Sequence, residues 1–249
     1  LWIPIFLIIS LILPSNFSTA ALMFLIIIIL LFIGGYPVKR IISMLILAFT
    51  FLIFFVLTSK AYPELIPNRV DTWISRIESF KNGHDLESNY QIEKAKTAIA
   101  SGGVLGLGAG KSVMKNFLPQ SSSDFIYAII IEEFGLIGGL GIIILYLLLL
   151  FRIVVIAHKS KKFFGKLIVI GLGIPVVIQA FVNIGVALQI LPVTGQNLPL
   201  ISSGGTAAWI TCISFGIILS VSSCRDEIHD DLVDNKENNN PIAILSETA

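Results

Sequence analysis

Three carboxylates stand close together in the stretch LPQSSSDFIYAIIIEEFGLIGG, which runs from Leu118 to Gly139. Asp124 lies where a polar segment meets an apolar one, and Glu132 and Glu133 follow inside the apolar sequence. Charged side chains are costly at membrane depth, so those that a membrane protein retains there are candidates for a functional role.

Each of these acids has two interpretations. Three serines precede Asp124, which suits a helix N-cap or first-turn acid, but a partly desolvated carboxylate at a membrane mouth also suits a general base. Glu132 and Glu133 point about 100° apart on a helix, and both cannot face lipid cheaply. We therefore expect at least one of the two glutamates to pair with a basic residue or with backbone groups inside a helical bundle.

The composition predicts the elements that must position these acids. Of 249 residues, 55% are hydrophobic and 13% are charged, about half of the roughly 25% charge usual in soluble proteins. Long apolar runs predict an all-α polytopic membrane protein, with about six spans at about 1–13, 18–35, 41–59, 126–151, 167–190 and 206–223. The net charge of +1 gives no field that would favour nucleic acid. Because the chain starts at Leu1 inside apolar sequence, we expect an N-terminal part of a longer protein to be missing.

The charges between the spans predict sidedness. Segments 36–40 and 152–166 carry Lys and Arg and no acid, which places them in the cytoplasm. Alternation then puts 60–125 and 191–205 outside. We expect one transmembrane domain over 1–223, including a large structured outer loop at 60–125, followed by an acidic cytoplasmic tail at 224–249 that is disordered.

The outer loop is predicted to contain two helices. In RVDTWISRIESFKNG, apolar residues share one face, which favours a helix lying in the membrane interface; they are Val70, Trp73, Ile74, Ile77 and Phe80. In ESNYQIEKAKTAIASGG, Ser88 and Gln91 predict a capping box and Gly102-Gly103 the helix end. Lys94 and Lys96 lie about 200° apart on that helix, so they cannot share one ligand directly.

The glycine-rich segment SGGVLGLGAGKS (101–112) is not a phosphate-binding loop of the GxxxxGKS type, because that pattern requires glycine where Leu105 stands. Two interpretations remain open. The segment could offer backbone N–H groups to an anion, with Lys111 nearby, or it could form a simple re-entrant turn.

The segment LPVTGQNLPLISSGGT (191–206) is interrupted by proline and glycine between two apolar runs. Such backbone is tolerated at membrane depth where it lines a cavity. The preceding span carries Gln179, Asn183 and Gln189 on one broad face. This combination predicts a cavity open to the outer leaflet, although ordinary hydrogen bonding between helices would explain the polar face equally well.

Three blocks, YQIEKAKTAIASGGVLGLGAGKS, LPQSSSDFIYAIIIEEFGLIGG and LPVTGQNLPLISSGGT, together resemble the SEDS family of cell-wall polymerases (FtsW, RodA, SpoVE), with similarity over about 14–223. The resemblance implies a SEDS-type helical bundle, of which this chain would be the last six of ten spans. Within the family the sequence is most similar to the FtsW branch, particularly a Bacteroidetes-type version. The chain departs from the family pattern at SSGG (202–205) for SYGG, PSNFST (14–19) for PDLGT and QSS for EAH.

The resemblance implies a peptidoglycan glycosyltransferase that polymerises lipid II at the outer face of the bacterial cytoplasmic (inner) membrane during cell division. Asp124 takes the place of the family's essential acid, as general base in the inverting displacement of undecaprenyl pyrophosphate. The pyrophosphate would need cationic side chains or a divalent cation, Mg or Mn. The candidate cationic side chains are Arg76, Lys94, Lys96 and Lys111. No other cofactor is implied. Substrate-binding residues are expected among Arg76, Tyr90, Gln91, Lys94, Lys111, Ser112, Glu132, Glu133, Pro192, Thr194, Gly195, Ser202, Gly204 and Gly205.

The family's partners are a class B penicillin-binding protein, which supplies the transpeptidase, and other division proteins. Two further functions stay open from the residues alone. Broken helices and intramembrane acids are also features of transporters, so the chain could be a lipid-linked precursor flippase. It could also be a non-catalytic scaffold of the division complex, with 60–125 and the tail as docking surfaces.

Overall fold

The computed structural model describes residues 2–61, 72–73, 76, 86–118 and 121–238, and within these the chain is all-helical. The helices are α1 (Trp2–Ile12), α2 (Phe17–Ile33), α3 (Val38–Ala61), α4 (Leu86–Gly102), α5 (Ile126–Lys159), α6 (Phe163–Ala187) and α7 (Gly205–Asn238). A short 3₁₀ turn, Met114–Asn116, lies between α4 and α5. The predicted all-α polytopic class is confirmed.

Each predicted span corresponds to a helix, but the helices differ in length. Four are long and apolar enough to cross a membrane: Val38–Ser59, Ile126–Lys159, Phe163–Ala187 and Gly205–Ser223. The apolar helices α1 and α2 are shorter, with 11 and 17 residues. Asn16 ends the turn between them, since its side chain accepts a hydrogen bond from the backbone N–H of Thr19 at 3.3 Å and so caps α2.

The core is centred on α5 and α6, which pack against each other along their length, with α4 against the start of α5 and α7 against α6. Two groups of fully buried side chains occupy these interfaces. The outer group joins α4 to α5 through Ala98, Phe125 and Ala128. The inner group joins α5 to α6 through Tyr146, Ala180 and Ile184.

Helix α5 is broken at Gly135, whose φ of 69° and ψ of −172° are not helical. The segment after α4 docks into this break and replaces the missing helical hydrogen bonds. The N–H groups of Leu107 and Gly108 donate to the carbonyls of Glu132 and Glu133, both at 2.9 Å. On the C-terminal side of the break the donor belongs to α5: the N–H of Leu136 donates to the carbonyl of Gly103 at 2.9 Å. We call residues 103–108 the docking loop.

Glycine is required where these two main chains touch. A Cβ on Gly135 would lie 2.2 Å from the Val104 carbonyl oxygen, and one on Gly106 would lie 2.2 Å from that of Glu133. A Cβ on Gly102 would lie 2.0 Å from the Ile131 carbonyl oxygen. The two glycine-rich stretches that the sequence separates by about thirty residues therefore form one backbone contact.

One detail differs from the sequence predictions, and two predictions stay untested. Helix α4 already contains Ser88, so the predicted capping box at Ser88 and Gln91 is wrong, although the helix does end at Gly102. Helix α7 is described to Asn238, and disorder of the acidic tail at 224–249 stays a prediction; residues 239–249 lie outside the described residues. Of the predicted interfacial helix over 69–83, only Thr72, Trp73 and Arg76 are described.

Candidate functional site

Asp124 lies immediately before α5 and is 8% exposed. The N-cap position of α5 is taken by Phe125, which makes no side-chain capping bond, and the first turn contains no acid. The capping interpretation of Asp124 is therefore wrong. Its carboxylate accepts a hydrogen bond from the Ser123 hydroxyl at 3.0 Å, which leaves carboxylate lone pairs free for another donor.

The segment between α6 and α7 lies directly against this carboxylate. A Cβ built on Gly195 would lie 3.7 Å from Asp124 Oδ2, and Gly195 has a φ of 67°. The main chain of Gly195 thus faces the acid without an intervening side chain. Leu200, in the same segment, also has a positive φ, of 69°, a conformation that is uncommon for a non-glycine residue.

Two serines tie this segment to the chain before Asp124. The Ser202 hydroxyl donates to the Ser123 carbonyl at 2.6 Å and accepts from the Leu198 N–H at 2.8 Å. The Ser203 N–H donates to the Ser122 carbonyl at 3.0 Å. The segment between α6 and α7 is therefore held against the two residues that precede Asp124.

Polar side chains of α6 hold the other side of the same segment. Gln179 Nε2 donates to the Asn197 carbonyl at 3.2 Å. Asn183 Nδ2 donates both to the Asp124 carbonyl at 2.8 Å and to the Gln196 carbonyl at 2.6 Å. The predicted inward polar face is confirmed for Gln179 and Asn183, whose partners are the backbone of the site. Gln189 lies beyond the end of α6, with a φ of 59°, and donates to the Ile92 carbonyl at 3.4 Å.

Glu132 is 1% exposed and reaches the turn that follows the docking loop. Its carboxylate accepts hydrogen bonds from the Ser112 hydroxyl and from the N–H groups of Val113 and Met114, the last two at 3.1 and 3.3 Å. The expectation that one glutamate pairs with backbone groups is confirmed for Glu132. Glu133 is partly exposed.

Four backbone N–H groups of the glycine-rich segment are already paired within the protein and are not available to an anion. The N–H groups of Gly106, Leu107, Gly108 and Lys111 all donate to main-chain carbonyls of the protein. A backbone anion site needs several N–H groups that point at the ligand. The re-entrant turn is the interpretation that fits, and Lys111 lies exposed at its end.

The cations of the outer loop occupy different places. Lys94 is partly buried, with Nζ 5.3 Å from the Tyr90 ring centre and 5.8 Å from that of Phe117, a cation–π arrangement. Lys96 is exposed. Arg76 donates from Nη1 to the Val193 carbonyl at 3.3 Å, which brings it next to the segment that faces Asp124.

Arg76 also stands at an apolar groove of about 310 Å³ between α2 and the segment 191–194. Phe17 and Trp73 line it on one side, and Pro192 and Thr194 on the other. The Trp73 ring packs 5.1 Å from that of Phe17, centre to centre. The groove combines apolar walls with one guanidinium, a combination suited to an amphiphile with an anionic head.

Most of the sequence-predicted residues fall into four places. Asp124, Gly195 and Ser202 meet at the acid; Arg76, Pro192 and Thr194 meet at the groove. Ser112 and Glu132 form a separate contact beneath the docking loop, and Tyr90 and Lys94 form another on α4.

Three further predicted residues lie apart from these four places. Gly204 packs against Asn197, since a Cβ on Gly204 would lie 2.9 Å from Asn197 Nδ2. Gly205 starts α7, and a Cβ there would meet nothing within 4 Å. Gln91 is partly buried on α4.

Asn183 is a site residue that was absent from the expected substrate-binding set. The signal that finds it is an amide in an apolar span, four residues after Gln179 and therefore on the same face. Its partners, two carbonyls far away in the sequence, are visible only in the fold.

The described residues contain no cluster of three His, Cys, Asp or Glu side chains that could hold a metal ion. Mg²⁺ beside substrate phosphates commonly uses one or two carboxylates, and Asp124 could supply one of them.

Comparison with known proteins gives consistent matches. Residues 1–227 match the family described as Cell cycle protein (FtsW/RodA/SpoVE). The chain is 37% identical over 216 residues to "Probable peptidoglycan glycosyltransferase FtsW" of Xanthomonas oryzae pv. oryzae, covering 85% of this chain and 43% of that one. It is 39% identical over 154 residues to "Stage V sporulation protein E" of Bacillus subtilis, covering 59% and 42%. The chain thus spans about half the length of the curated relatives it matches.

A solved structure shares the fold. A chain from "Structural coordination of polymerization and crosslinking by a peptidoglycan synthase complex" superposes with a TM-score of 0.65 at 24% identity, covering 88% of this chain and 59% of that one. At this identity the likeness concerns the arrangement of helices alone.

Proposed function

Because this chain belongs to the FtsW/RodA/SpoVE family of cell cycle proteins, we propose that it works as a peptidoglycan glycosyltransferase that polymerises lipid II during cell division. Relatives named probable peptidoglycan glycosyltransferase FtsW support the reaction class. The single structural observation that carries the proposal is the buried Asp124 carboxylate, which faces the main chain of Gly195 and has free acceptor capacity.

Asp124 acts as the general base. The 4-hydroxyl of the acceptor sugar donates its hydrogen bond to Asp124 and attacks the anomeric carbon of the donor sugar from the face opposite the pyrophosphate. The new C–O bond forms as the bond to pyrophosphate breaks, the hydroxyl proton passes to the carboxylate, and the configuration inverts. Such proton removal by a positioned side chain contributes about 10²–10⁴-fold to a rate.

Arg76 is the cation best placed for the leaving group. It stands at the mouth of the apolar groove and bonds to Val193, two residues from the glycine that faces Asp124. A guanidinium stabilises developing phosphate charge, and the apolar walls suit the first isoprene units of the carrier. Lys94, Lys111, Tyr90, Gln91, Glu133 and Gly205 remain proposed substrate contacts, whereas Ser112 and Glu132 support the loop.

The site is proposed to face outward from the cytoplasmic membrane. The basic segments 36–40 and 152–166 lie at one end of the helices, and Asp124 precedes α5 at the other end. By the positive-inside rule the basic end is cytoplasmic. The tail after Ser223 then begins in the cytoplasm.

The proposed partner is a class B penicillin-binding protein, together with other division proteins. The solved chain of similar fold comes from a peptidoglycan synthase complex that is described as coordinating polymerisation and crosslinking. A transpeptidase beside the polymerase would crosslink the strands as they form.

A polymerisation assay separates this function from transport. The full-length protein, purified in detergent with its class B partner, is given lipid II, and the products are separated by size. Glycan strands formed in detergent, where no membrane divides two compartments, support the polymerase. Lipid II left intact in detergent, together with its transfer across vesicles that contain the protein, would favour the flippase instead.

A further inference from the structure

Asn183 is a polar side chain in an apolar span and is 1% exposed. Its amide nitrogen donates both of its hydrogens, one to the Asp124 carbonyl at 2.8 Å and one to the Gln196 carbonyl at 2.6 Å. These two carbonyls belong to the two main chains that face each other at the acid. A single nitrogen atom therefore sets the distance between them.

The chemistry of the bridge restricts which residue can form it. Two carbonyls that are bridged by one neutral group need two donors from it, and a primary amide supplies both from one nitrogen. An ionised aspartate supplies none, and serine supplies one. The opposite amide orientation would set an oxygen against two carbonyl oxygens, so the hydrogen-bond network assigns the nitrogen.

The bridge leaves the third polar group of Asn183 unsatisfied. Within the part of the chain that the structure describes, its Oδ1 is buried and has no hydrogen-bond partner. An unsatisfied buried acceptor costs about 1–3 kcal/mol. A leucine of similar volume would avoid that cost but would take the donor from two carbonyls, so Asn183 contributes to stability as well as to the geometry of the site.

We propose that Asn183 is the positioning residue of the active site, fixing the main chain of Asp124 against Gly195–Gln196 so that the carboxylate meets the acceptor hydroxyl. The inference rests on the proposed function, because it acts through Asp124 as base. Asn183 itself touches neither the reacting atoms nor the groove. Its effect is therefore expected in turnover and not in substrate affinity.

The first test compares Asn183→Leu with Gln179→Leu in the full-length protein. Gln179 lies on the same face and bonds to the Asn197 carbonyl at 3.2 Å, but not to Asp124. Both variants lose amide contacts to the same segment, and Asn183→Leu, which loses two hydrogen bonds where Gln179→Leu loses one, should show the larger decrease in Tm. Asn183→Leu should lower kcat for lipid II polymerisation about 10²-fold with KM nearly unchanged, since small misplacements cost about that much. Asn183→Ser, with one donor, should lie between wild type and Asn183→Leu.

The second test is a double-mutant cycle with Asp124→Glu, whose longer side chain already displaces the carboxylate. If Asn183 acts through Asp124, the loss caused by Asn183→Leu shrinks at least about fivefold in that background. An equal loss in both backgrounds, or an equal loss in Gln179→Leu, would overturn the inference. Asp124→Asn with normal polymerisation would instead overturn the proposed base, so the two failures are distinguishable.

Discussion

The two adjacent glutamates, Glu132 and Glu133, have opposite environments. Glu132 is buried and accepts hydrogen bonds from the hydroxyl of Ser112 and from two backbone N–H groups. Glu133 is partly exposed and uses its main-chain carbonyl to hold the docking loop. Since buried charges persist only when several donors satisfy them, Glu132 has a structural role in fixing the turn at Ser112–Met114.

Glu132→Ala should therefore destabilise the protein more than Glu133→Ala. Removing the Glu132 carboxylate leaves three buried or partly buried donors without an acceptor, at a cost of about 3 kcal/mol. Thermal unfolding of the two purified variants measures the difference, with Glu132→Gln as the conservative variant that keeps one acceptor oxygen. Equal Tm values for Glu132→Ala and Glu133→Ala would contradict the structural role.

The break in α5 is the element that shapes the outer side of the bundle. Gly135 interrupts the helix, and the docking loop supplies donors and acceptors to the main-chain groups that the break leaves free. Backbone groups cannot remain unpaired at membrane depth. The docking loop is thus part of the helix hydrogen bonding and not a flexible appendage.

Gly135→Ala should displace the docking loop. The new Cβ would lie 2.2 Å from the Val104 carbonyl oxygen at a φ of 69°, and the strained conformation alone costs about 1–3 kcal/mol. We expect a lower Tm and faster limited proteolysis within 103–112. Gly141→Ala is the matched control, because that glycine lies in the same helix with nothing within 4 Å of the new Cβ. Equal protease resistance in both variants would show that the contact is not required.

The sequence predicts these elements better than it predicts their contacts. Apolar runs place the helices within a few residues, and Gly102-Gly103 marks the end of α4, because both signals are local. The pairing of Gly106 with Glu133 and of Asn183 with Asp124 is not local. A glycine indicates a close approach of two main chains, and an asparagine in an apolar span indicates a buried donor. Only the packed bundle identifies the partner of each.

At the scale of the whole molecule, charge sets the orientation. The segments between α2 and α3 and between α5 and α6 are basic, whereas the segment that faces Asp124 carries no charge. The proposed outward orientation of the site rests on the positive-inside rule. The proposed polymerisation of glycan strands outside the cytoplasm requires this orientation.

Cysteine labelling in intact cells tests the orientation. In a background with Cys212→Ser and Cys224→Ser, single cysteines replace the exposed Lys115 and Lys161. A membrane-impermeant maleimide should label Lys115→Cys in intact cells and Lys161→Cys only after the membrane is permeabilised. The reverse pattern would invert the topology and exclude an outward-facing site.

The most direct measurement of the central claim is lipid II polymerisation by the Asp124→Asn variant of the full-length protein with the proposed class B partner. Asparagine keeps the size and the backbone contacts of Asp124 but cannot accept a proton at its amide nitrogen. We predict a folded protein that forms glycan strands at least about 10²-fold more slowly than wild type. Strands of normal length and rate from well-folded Asp124→Asn would contradict the assignment of Asp124 as the general base.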